Sequence, residues 1–538
     1  MDKMDKKAFN YDYLILFIIS GLIQAIWVAL TPEPAYMDAH YYTLNGRLLA
    51  NTHAFTEPII WQYLDNPTTL PTPSHSYWPP LASILAALGY TLNNSFRAAQ
   101  LPFWLLTSTL PLLSYYISHR LGGQRWQNIT AALFTTAGGF YANSWNQPET
   151  FAPFAWLGAL IILNLGHPRH YRHWLTIGLL TGLAHLTRAD GILFLGLAGL
   201  IALGNALNWQ RPNLPQLHDQ LRPLTLNILA LFAGYLIITA GWFWRNWQTL
   251  GYPLPIAGTQ TIFLTNYNDI FAYGRQFTLD SYLAWGWDNI LSSKIQAINF
   301  SILNFIAING LIFLTPFLLI GLVTNSRRHP AYLRPLILYT IFLYTAMSLV
   351  FTFPGQRGGL FHSSIALHAW FMPLAASGIG STIDTIASRL LSHWQPARAK
   401  PIFAALFILI AFSLSFGRLF VPSTVIITPP STYQAAADQL PSDAVVFVGN
   451  APGFSYYTHL AALSIPNEPL DTLLTVADRY GATHLLIDHN HPRPLKPFYN
   501  GEESSPRLQE INSWQEAHLY QILPAATAVP APSTPNTD

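Results

Sequence analysis

An acidic residue placed directly after the first hydrophobic segment is the first candidate for chemistry in this sequence. Asp38 lies in the stretch MDAHYY (37–42), just beyond an apolar run over 11–30. A carboxylate at that place costs free energy unless it is paired with a cation or solvated, and one that is kept there often has a function. It can cap the helical pattern at 39–50 or act as a general base, and the local sequence favours neither. Two neighbours could contact a substrate or pack at the membrane interface: His40 and Tyr41.

Two further segments combine charges with turn residues. Glu149 lies in the tight turn NQPET (146–150), where capping of the next helix is the stronger local explanation. Arg188 and Asp190 interrupt an apolar stretch in LTRADG (186–191) and could neutralise each other. Charged residues within membrane segments usually mark function, and Arg suits a phosphate because it donates two parallel hydrogen bonds. Both residues are therefore candidates for substrate contact.

Two later segments place cations beside aromatic residues or glycines. Arg245 lies in WFWRNW (242–247), where an aromatic belt with a snorkelling Arg is the alternative to a ligand site. Arg357 and His362 lie in FPGQRGGLFHSS (353–364), whose glycines allow close approach of the backbone to a ligand. An ordinary loop is the alternative there.

Composition indicates a chain that is mostly dissolved in lipid. Of 538 residues, 51% are hydrophobic and only 10% are charged, against about 25% charged in soluble proteins. The net charge of +2 gives no basis for nucleic-acid binding. The absence of cysteine excludes disulfides, thiolate metal sites and a Cys nucleophile. No nucleotide-binding motif is present.

The hydrophobic pattern predicts a mainly α, polytopic membrane protein. The first span is longer than the apolar core of a signal peptide, so we expect a retained anchor helix. Eleven spans are predicted, near 11–31, 97–118, 127–144, 150–166, 174–187, 191–208, 223–243, 298–322, 333–353, 361–383 and 401–421.

The distribution of basic residues predicts the topology. Lys and Arg concentrate in alternate short segments, such as the one with Arg327, Arg328 and Arg334, which places the N-terminus in the cytoplasm. The long outer loops 32–96 and 245–297 are expected to hold helices that lie in the interface of the plasma (inner) membrane. The candidate residues then share the outer face: Asp38, Glu149, Arg188, Asp190, Arg245 and Arg357.

The composition changes after residue 421. Short apolar strands at 444–448, 463–465 and 484–488 alternate with helical patterns. We therefore predict a transmembrane domain at 1–421 and a small extracytoplasmic α/β domain at 422–523. The Ala-, Pro- and Thr-rich end, 524–538, is expected to be disordered.

Together these segments resemble the glycosyltransferase C (GT-C) superfamily, nearest the family 39-like protein O-mannosyltransferases and lipid A aminoarabinose transferases. The resemblance covers residues 1–421 and departs from many relatives at the first-loop motif, which is Asp-Ala instead of Asp-Glu. The motifs that carry it are, in order, MDAHY (37–41), YWPP (77–80), QPE (147–149), LTRADG (186–191), WRNW (244–247) with GYP (251–253), and FHSS (361–364).

The resemblance implies transfer of a hexosyl group, with inversion, from a polyprenyl-phosphate donor to a hydroxyl of a lipid, glycan or protein. Asp38 would be the general base, Glu149 would orient the acceptor or Asp38, and His362 could assist. No cofactor and no metal is expected, since a metal-dependent variant would want more outer-face acids. Three residues would stabilise the phosphate leaving group: Arg188, Arg245 and Arg357.

Other classes of function remain as alternatives. A transporter or flippase for lipid-linked glycans would place charges along a pathway through the bilayer, whereas these charges gather at one face. A polymerase or ligase of surface polysaccharide would share the donor chemistry. A sensor or assembly protein would need only an anchor, and eleven spans exceed that need. No internal repeat typical of many transporters is evident.

Overall fold

The apolar segments fold into helices, and the C-terminal part adds a mixed sheet. The structure, a computed structural model, divides the chain into two compact units. The larger comprises Met1–Thr56, Pro73–Tyr267 and Gln276–Thr424, and the smaller Glu57–Thr72, Asn268–Arg275 and Val425–Asp538. The described residues are 6–168, 170–207, 214–389, 394–420, 428–514 and 516–524, so most of the predicted disordered tail lies outside them.

The larger unit is helical. Its helices are α1 Lys6–Leu30, α2 Met37–Thr52, α3 Leu81–Tyr90, α4 Phe96–Arg120, α5 Arg125–Ala137, α6 Phe151–Leu165, α7 Tyr171–Thr187, α8 Leu193–Leu207, α9 Leu214–Leu250, α10 Ile256–Gln260, α11 Leu279–Ala284, α12 Trp287–Asn304, α13 Thr315–Arg328, α14 Pro330–Thr345, α15 Thr352–Pro354, α16 Leu360–Ser364, α17 His368–Arg389 and α18 Pro396–Gly417. The long loops predicted to be outer contain the short helices α2, α3, α10 and α11, as predicted.

Among the described residues, six helical segments are long and apolar enough to cross a membrane, and the chain is a multi-pass membrane protein. They are Tyr11–Leu30, Ala189–Leu207, Leu221–Leu250, Trp287–Asn309, Pro330–Val350 and Pro396–Phe420. Each of the eleven predicted spans includes helix, but the span predicted at 127–144 runs past the end of α5 at Ala137, and the single helix predicted at 298–322 is wrong. Helix α12 ends at Asn304 and α13 begins at Thr315, with positive φ at Leu311 and Ile312 between them. Eleven crossings stay a prediction.

Two glycines allow helices α13 and α17 to pack with their backbones nearly touching. A Cβ atom added to Gly321 would lie 1.8 Å from the Leu374 carbonyl oxygen. One added to Gly378 would lie 1.8 Å from the Phe317 carbonyl oxygen. Close approach through small residues is a common way to pack helices in lipid, where no hydrophobic force drives them together.

A buried glutamine fixes the segment that leads from α5 to α6. The Gln24 side chain on α1 donates to the Thr136 carbonyl oxygen at 2.9 Å. Its Oε1 accepts from Trp145 Nε1 at 3.0 Å and from Asn146 Nδ2 at 2.8 Å. Gln147, the next residue, accepts from the Ala35 N–H at 3.1 Å. The start of α2 and the start of α6 are thereby held together.

The smaller unit is an α/β sheet, as the composition change predicted. The strands are β1 Thr56–Glu57, β2 Ile59–Ile60, β3 Thr72–Pro73, β4 Val445–Val448, β5 Ala461–Ser464, β6 His484–Ile487, β7 Leu508–Trp514 and β8 Ala517–Ile522, and the helices are α19 Pro430–Ala437, α20 Ala451–Thr458, α21 Leu470–Tyr480 and α22 Lys496–Tyr499. The six-stranded sheet has the order β2-β5-β4-β6-β8-β7, parallel from β2 to β6 and antiparallel from β6 to β7.

One strand of this sheet, β2, comes from the long loop predicted at 32–96. Ile59 pairs with Ala462, and the Tyr63 hydroxyl donates to the Ser464 carbonyl oxygen at 2.5 Å. The smaller unit therefore takes residues from two segments that the sequence assigned to the transmembrane domain. The boundaries proposed at 421 and 523 stay predictions.

Candidate active site

Asp38 lies in the first turn of α2, beyond its cap. The helix begins at Met37 and its N-cap is Tyr36, so the interpretation of Asp38 as the N-cap is wrong. Burial, together with the negative charge of Glu149, raises the pKa of Asp38 to about 6 against the opposing effects of His362 and Arg188. Asp38 is thus a carboxyl group that titrates near neutrality.

Asp38, Glu149 and His362 form a carboxylate–histidine cluster. One ligating atom from each lies within 4.8 Å of the other two. Glu149 is 1% exposed, and its Oε1 lies 3.5 Å from His362 Nδ1. The His362 ring stacks on Phe151, the first residue of α6, at 4.2 Å between ring centroids. The fold therefore joins two predicted acidic residues that are far apart in sequence.

The Glu149 carboxylate is held in its ionised form. Its Oε2 accepts from the Thr150 hydroxyl at 2.8 Å and also from the Thr150 N–H. Burial raises the pKa of Glu149, but His362 and the Thr150 hydroxyl lower it by more, so it lies below its usual value. The residue that caps α6 is Thr150, so Glu149 lies just outside the helix. The pKa values of the two carboxyl groups are pushed apart, a pattern typical of acid–base pairs.

Arg188 lies at the end of α7, next to Thr150 of the site. It is the C-cap of that helix with an extended backbone (φ −149°), and its side chain is 16% exposed. Its Nε donates to Asp190 Oδ1 at 2.9 Å, and its Nη2 donates to Ser363 Oγ at 3.0 Å. Its Nη1 lies 3.4 Å from Thr150 Oγ1. Arg188 and Asp190 do neutralise each other in part, yet the guanidinium also bridges the elements that carry Glu149 and His362.

The two candidates next to Asp38 have contacts that brace α2. His40 Nδ1 lies 2.9 Å from the Tyr36 carbonyl oxygen, and burial lowers the pKa of His40 to about 4. The Tyr41 hydroxyl accepts from the His75 N–H at 2.7 Å, and its ring meets the edge of Trp78 at 4.9 Å. These contacts fit the packing alternative, and substrate contact by either residue stays a prediction.

The two remaining arginines occupy different surroundings. Arg245 lies 4.7 Å above the Trp242 ring and donates to the Phe55 carbonyl oxygen at 2.7 Å, in an aromatic cluster. Arg357 lies 4.8 Å above the ring of Tyr267. Burial and the charge of Asp38 raise the pKa of Tyr267 to about 12, while Arg357 lowers it. Tyr267 therefore contacts Arg357 and is close enough to Asp38 to respond to its charge.

The fold of this chain is similar to the folds of solved structures. No family model matches the chain, and no curated protein matches its sequence. The archaeal oligosaccharyltransferase AglB from Archaeoglobus fulgidus, in complex with an inhibitory peptide and a dolichol-phosphate, matches with a TM-score of 0.53 at 12% identity, over 91% of this chain and 70% of that chain. ArnT from Cupriavidus metallidurans, bound to undecaprenyl phosphate, matches with a TM-score of 0.51 at 14% identity, over 95% of this chain and 98% of that chain. The chain has the GT-C fold.

Within this GT-C fold, three tyrosines near the acidic residues were not identified from the sequence as candidate site residues. Tyr42 follows Asp38 by one helical turn, and this i, i+4 spacing is the signal that could have found it. Tyr36 precedes α2, and burial with the charges of Glu149 and Asp38 raises its pKa. Tyr267 lies in the long loop predicted at 245–297, where nothing in the local sequence marks it.

The carboxylate–histidine cluster also has the composition of a divalent-cation site. Carboxylate oxygen and imidazole nitrogen are common zinc ligands. Among the described residues, Glu149 Oε1 is buried without a hydrogen-bond partner, an atom that a cation would satisfy. The same Archaeoglobus oligosaccharyltransferase matches in a complex with Zn and sulfate, with a TM-score of 0.52 at 11% identity, over 90% of this chain and 69% of that chain. The expected absence of a metal stays a prediction.

Proposed function

We propose that this protein is an inverting membrane glycosyltransferase. It moves a sugar from a polyprenyl-phosphate donor to a hydroxyl of a lipid, glycan or protein at the outer face of the plasma membrane. The observation that carries the proposal is the Asp38 carboxyl, with a pKa near 6, beside the ionised Glu149 in a GT-C fold. The lipid phosphates bound by ArnT and AglB support the choice of donor.

Asp38 acts as the general base. At pH 7 a carboxyl group with a pKa near 6 is mostly ionised, yet it is a stronger base than an ordinary aspartate. The acceptor hydroxyl gives its proton to Asp38 as its oxygen bonds to the anomeric carbon. The bond from that carbon to the phosphate oxygen breaks, and polyprenyl phosphate leaves with the electron pair. Glu149, anchored by Thr150 and facing His362, keeps a negative charge beside Asp38 and so maintains its basicity.

Arg188 stabilises the phosphate as its negative charge grows. Its Nε bond to Asp190 and its Nη2 bond to Ser363 fix the plane of the guanidinium before the substrate arrives. Donors that are already oriented stabilise a developing charge without reorganisation. Arg357, next to Tyr267, is the second candidate for this role, and Arg245 the third.

No cofactor beyond the lipid-linked donor enters this mechanism. If a divalent cation is bound, the carboxylate–histidine cluster would hold it, and the cation would supply stabilisation of negative charge at that place. Such binding would compete with the role of Asp38 as a free base, so removal of metal is an informative test.

The N-terminus is cytoplasmic and the C-terminal α/β domain extracytoplasmic in this proposal. Because the chain has no cysteine, single substitutions give clean labelling sites. A membrane-impermeant maleimide should label Ser504→Cys in intact cells. It should label Arg328→Cys only after permeabilisation. The opposite pattern would place the active site on the cytoplasmic face and refute the orientation.

Deletion of the protein tests the activity itself, because the unused lipid-linked sugar should then accumulate. Deletion should raise the level of one polyprenyl-phosphate sugar and remove that sugar from one class of glycan, lipid or protein, as measured by mass spectrometry. A purified flippase, the main alternative, would instead move the lipid-linked sugar across a proteoliposome bilayer and leave it chemically unchanged. Translocation without transfer by the purified protein would refute the enzyme.

A further inference from the structure

Tyr42 is the aromatic residue of α2 that faces the same side as Asp38. The two are separated by four residues, so they lie one above the other on the helix surface. Tyr42 is 1% exposed and belongs to the buried core. Its place on α2 therefore directs a buried phenol toward the active site.

The Tyr42 hydroxyl makes no hydrogen bond with any residue that the structure describes. The ring is held in place by the edge of Tyr41 at 5.6 Å and by Trp78 at 6.1 Å. The Tyr42 carbonyl oxygen accepts from Ser83 Oγ at 3.2 Å, which fixes the backbone. A fixed ring with an unbonded hydroxyl can take a hydrogen-bond partner from outside the chain.

The charges around this hydroxyl indicate what the partner is. Burial, then the charges of Glu149 and Asp38, raise the pKa of Tyr42 far above its usual value, while Arg188 opposes them. The hydroxyl therefore keeps its proton and can donate a hydrogen bond at any physiological pH. Arg188 Nη1 lies 3.4 Å from Thr150 Oγ1, which bonds Glu149 in the cluster that contains Asp38. Because Tyr42 shares the helix face of Asp38, an anionic group bound to Arg188 would lie on the side that the Tyr42 hydroxyl faces.

We propose that Tyr42 is a substrate-binding residue whose hydroxyl donates a hydrogen bond to the phosphate of the lipid-linked donor, beside Arg188. The proposal rests on the proposed function, since it assumes a polyprenyl-phosphate donor at this site. Tyr42 keeps its proton throughout and takes part in no covalent step. Its hydrogen bond becomes stronger as the phosphate gains charge, so it contributes to catalysis as well as to binding.

The test compares Tyr42→Phe with the wild-type protein in detergent micelles. Phenylalanine keeps the packing of the ring and removes only the hydroxyl. The probes are undecaprenyl phosphate, dolichyl phosphate and undecaprenol, with affinities measured by native mass spectrometry. We expect Tyr42→Phe to bind whichever phosphate lipid the wild type prefers roughly 10-fold to 100-fold more weakly, the loss typical of a hydrogen bond to a charged group. Binding of undecaprenol should not change.

Tyr63→Phe is the matched control, because Tyr63 is also buried but donates to the Ser464 carbonyl oxygen within the smaller unit. It should lower thermal stability and leave lipid affinity unchanged. If the wild type binds a phosphate lipid and Tyr42→Phe binds it equally well, the role of Tyr42 is refuted while the proposed function stands. An equal loss for undecaprenol would also refute it. If the wild type binds neither phosphate lipid, the proposed donor itself is refuted.

Discussion

The acidic limb of the pH–rate profile gives a quantitative test of the carboxylate–histidine cluster. In wild-type protein, kcat/KM should fall as the pH drops through about 6, because protonation of Asp38 removes the base. The variant Glu149→Gln removes one of the two influences that raise this pKa and leaves burial, the larger one, in place. Since Asp38 is then a weaker base, the limb should move to lower pH.

The size of this shift follows from the distance between the groups. At a separation within 4.8 Å the repulsion between two unit charges is roughly 1 kcal/mol at the dielectric constant of water and about 3.5 kcal/mol at an effective value of 20. The whole rise, from 3.8 to about 6, corresponds to about 3 kcal/mol, and burial supplies the largest part of it. We therefore expect the limb to move down by about 0.5 to 1 pH unit.

The assay follows transfer from a panel of polyprenyl-phosphate sugars by purified protein in nanodiscs between pH 4.5 and 8.5. The maximal rate of Glu149→Gln will also fall, so the position of the limb, and not its height, is the readout. Asp280→Asn, at an exposed position in the first turn of α11, is the control for loss of an acidic side chain and should not move the limb. An unchanged limb in Glu149→Gln would refute the assignment of this titration to Asp38.

Three further predictions concern the phosphate site, the metal and the packing. Arg188→Ala should weaken donor binding roughly 10-fold to 100-fold, and Arg188→Lys should recover only part of it; unchanged affinity in a binding titration would remove Arg188 from the phosphate site. Prolonged treatment with EDTA should leave turnover unchanged; loss that a divalent cation restores would instead assign a metal to the carboxylate–histidine cluster. Gly378→Val should lower the free energy of unfolding by about 1–3 kcal/mol or more, whereas Gly241→Val, with no atom within 4 Å of its Cβ, should leave the melting temperature nearly unchanged; equal melting temperatures would contradict the close packing of α13 and α17.

The helices could be predicted because apolar runs long enough to span a bilayer have few other uses. The break between α12 and α13 could not, because hydropathy stays high across residues 305–314 while the backbone turns at Leu311 and Ile312. Strand β2 was missed for a different reason. It has two residues, and only its pairing with Ala462 and Leu463 in the folded sheet defines it.

For the site, residue type and predicted topology were enough to select Asp38, Glu149, Arg188 and His362, but not to show that they meet. Their convergence depends on buried polar contacts such as Gln147 to Ala35, which no periodic pattern encodes. Arg245 is a case in which the contacts in the structure differ from those expected for the predicted role. A cation on the predicted face was a reasonable phosphate ligand, yet Arg245 packs over the Trp242 ring and donates to the Phe55 carbonyl oxygen and to Asn246 Oδ1.

Turnover by purified Asp38→Asn is the most direct test of the central claim that Asp38 is the general base. The amide keeps the shape of the side chain and cannot accept the proton, so transfer should fall by at least about 100-fold. The variant should still bind the lipid-linked donor and should melt no lower than the wild type, because the cost of burying an ionised carboxylate is removed. Normal turnover by a folded, donor-binding Asp38→Asn protein would contradict the mechanism.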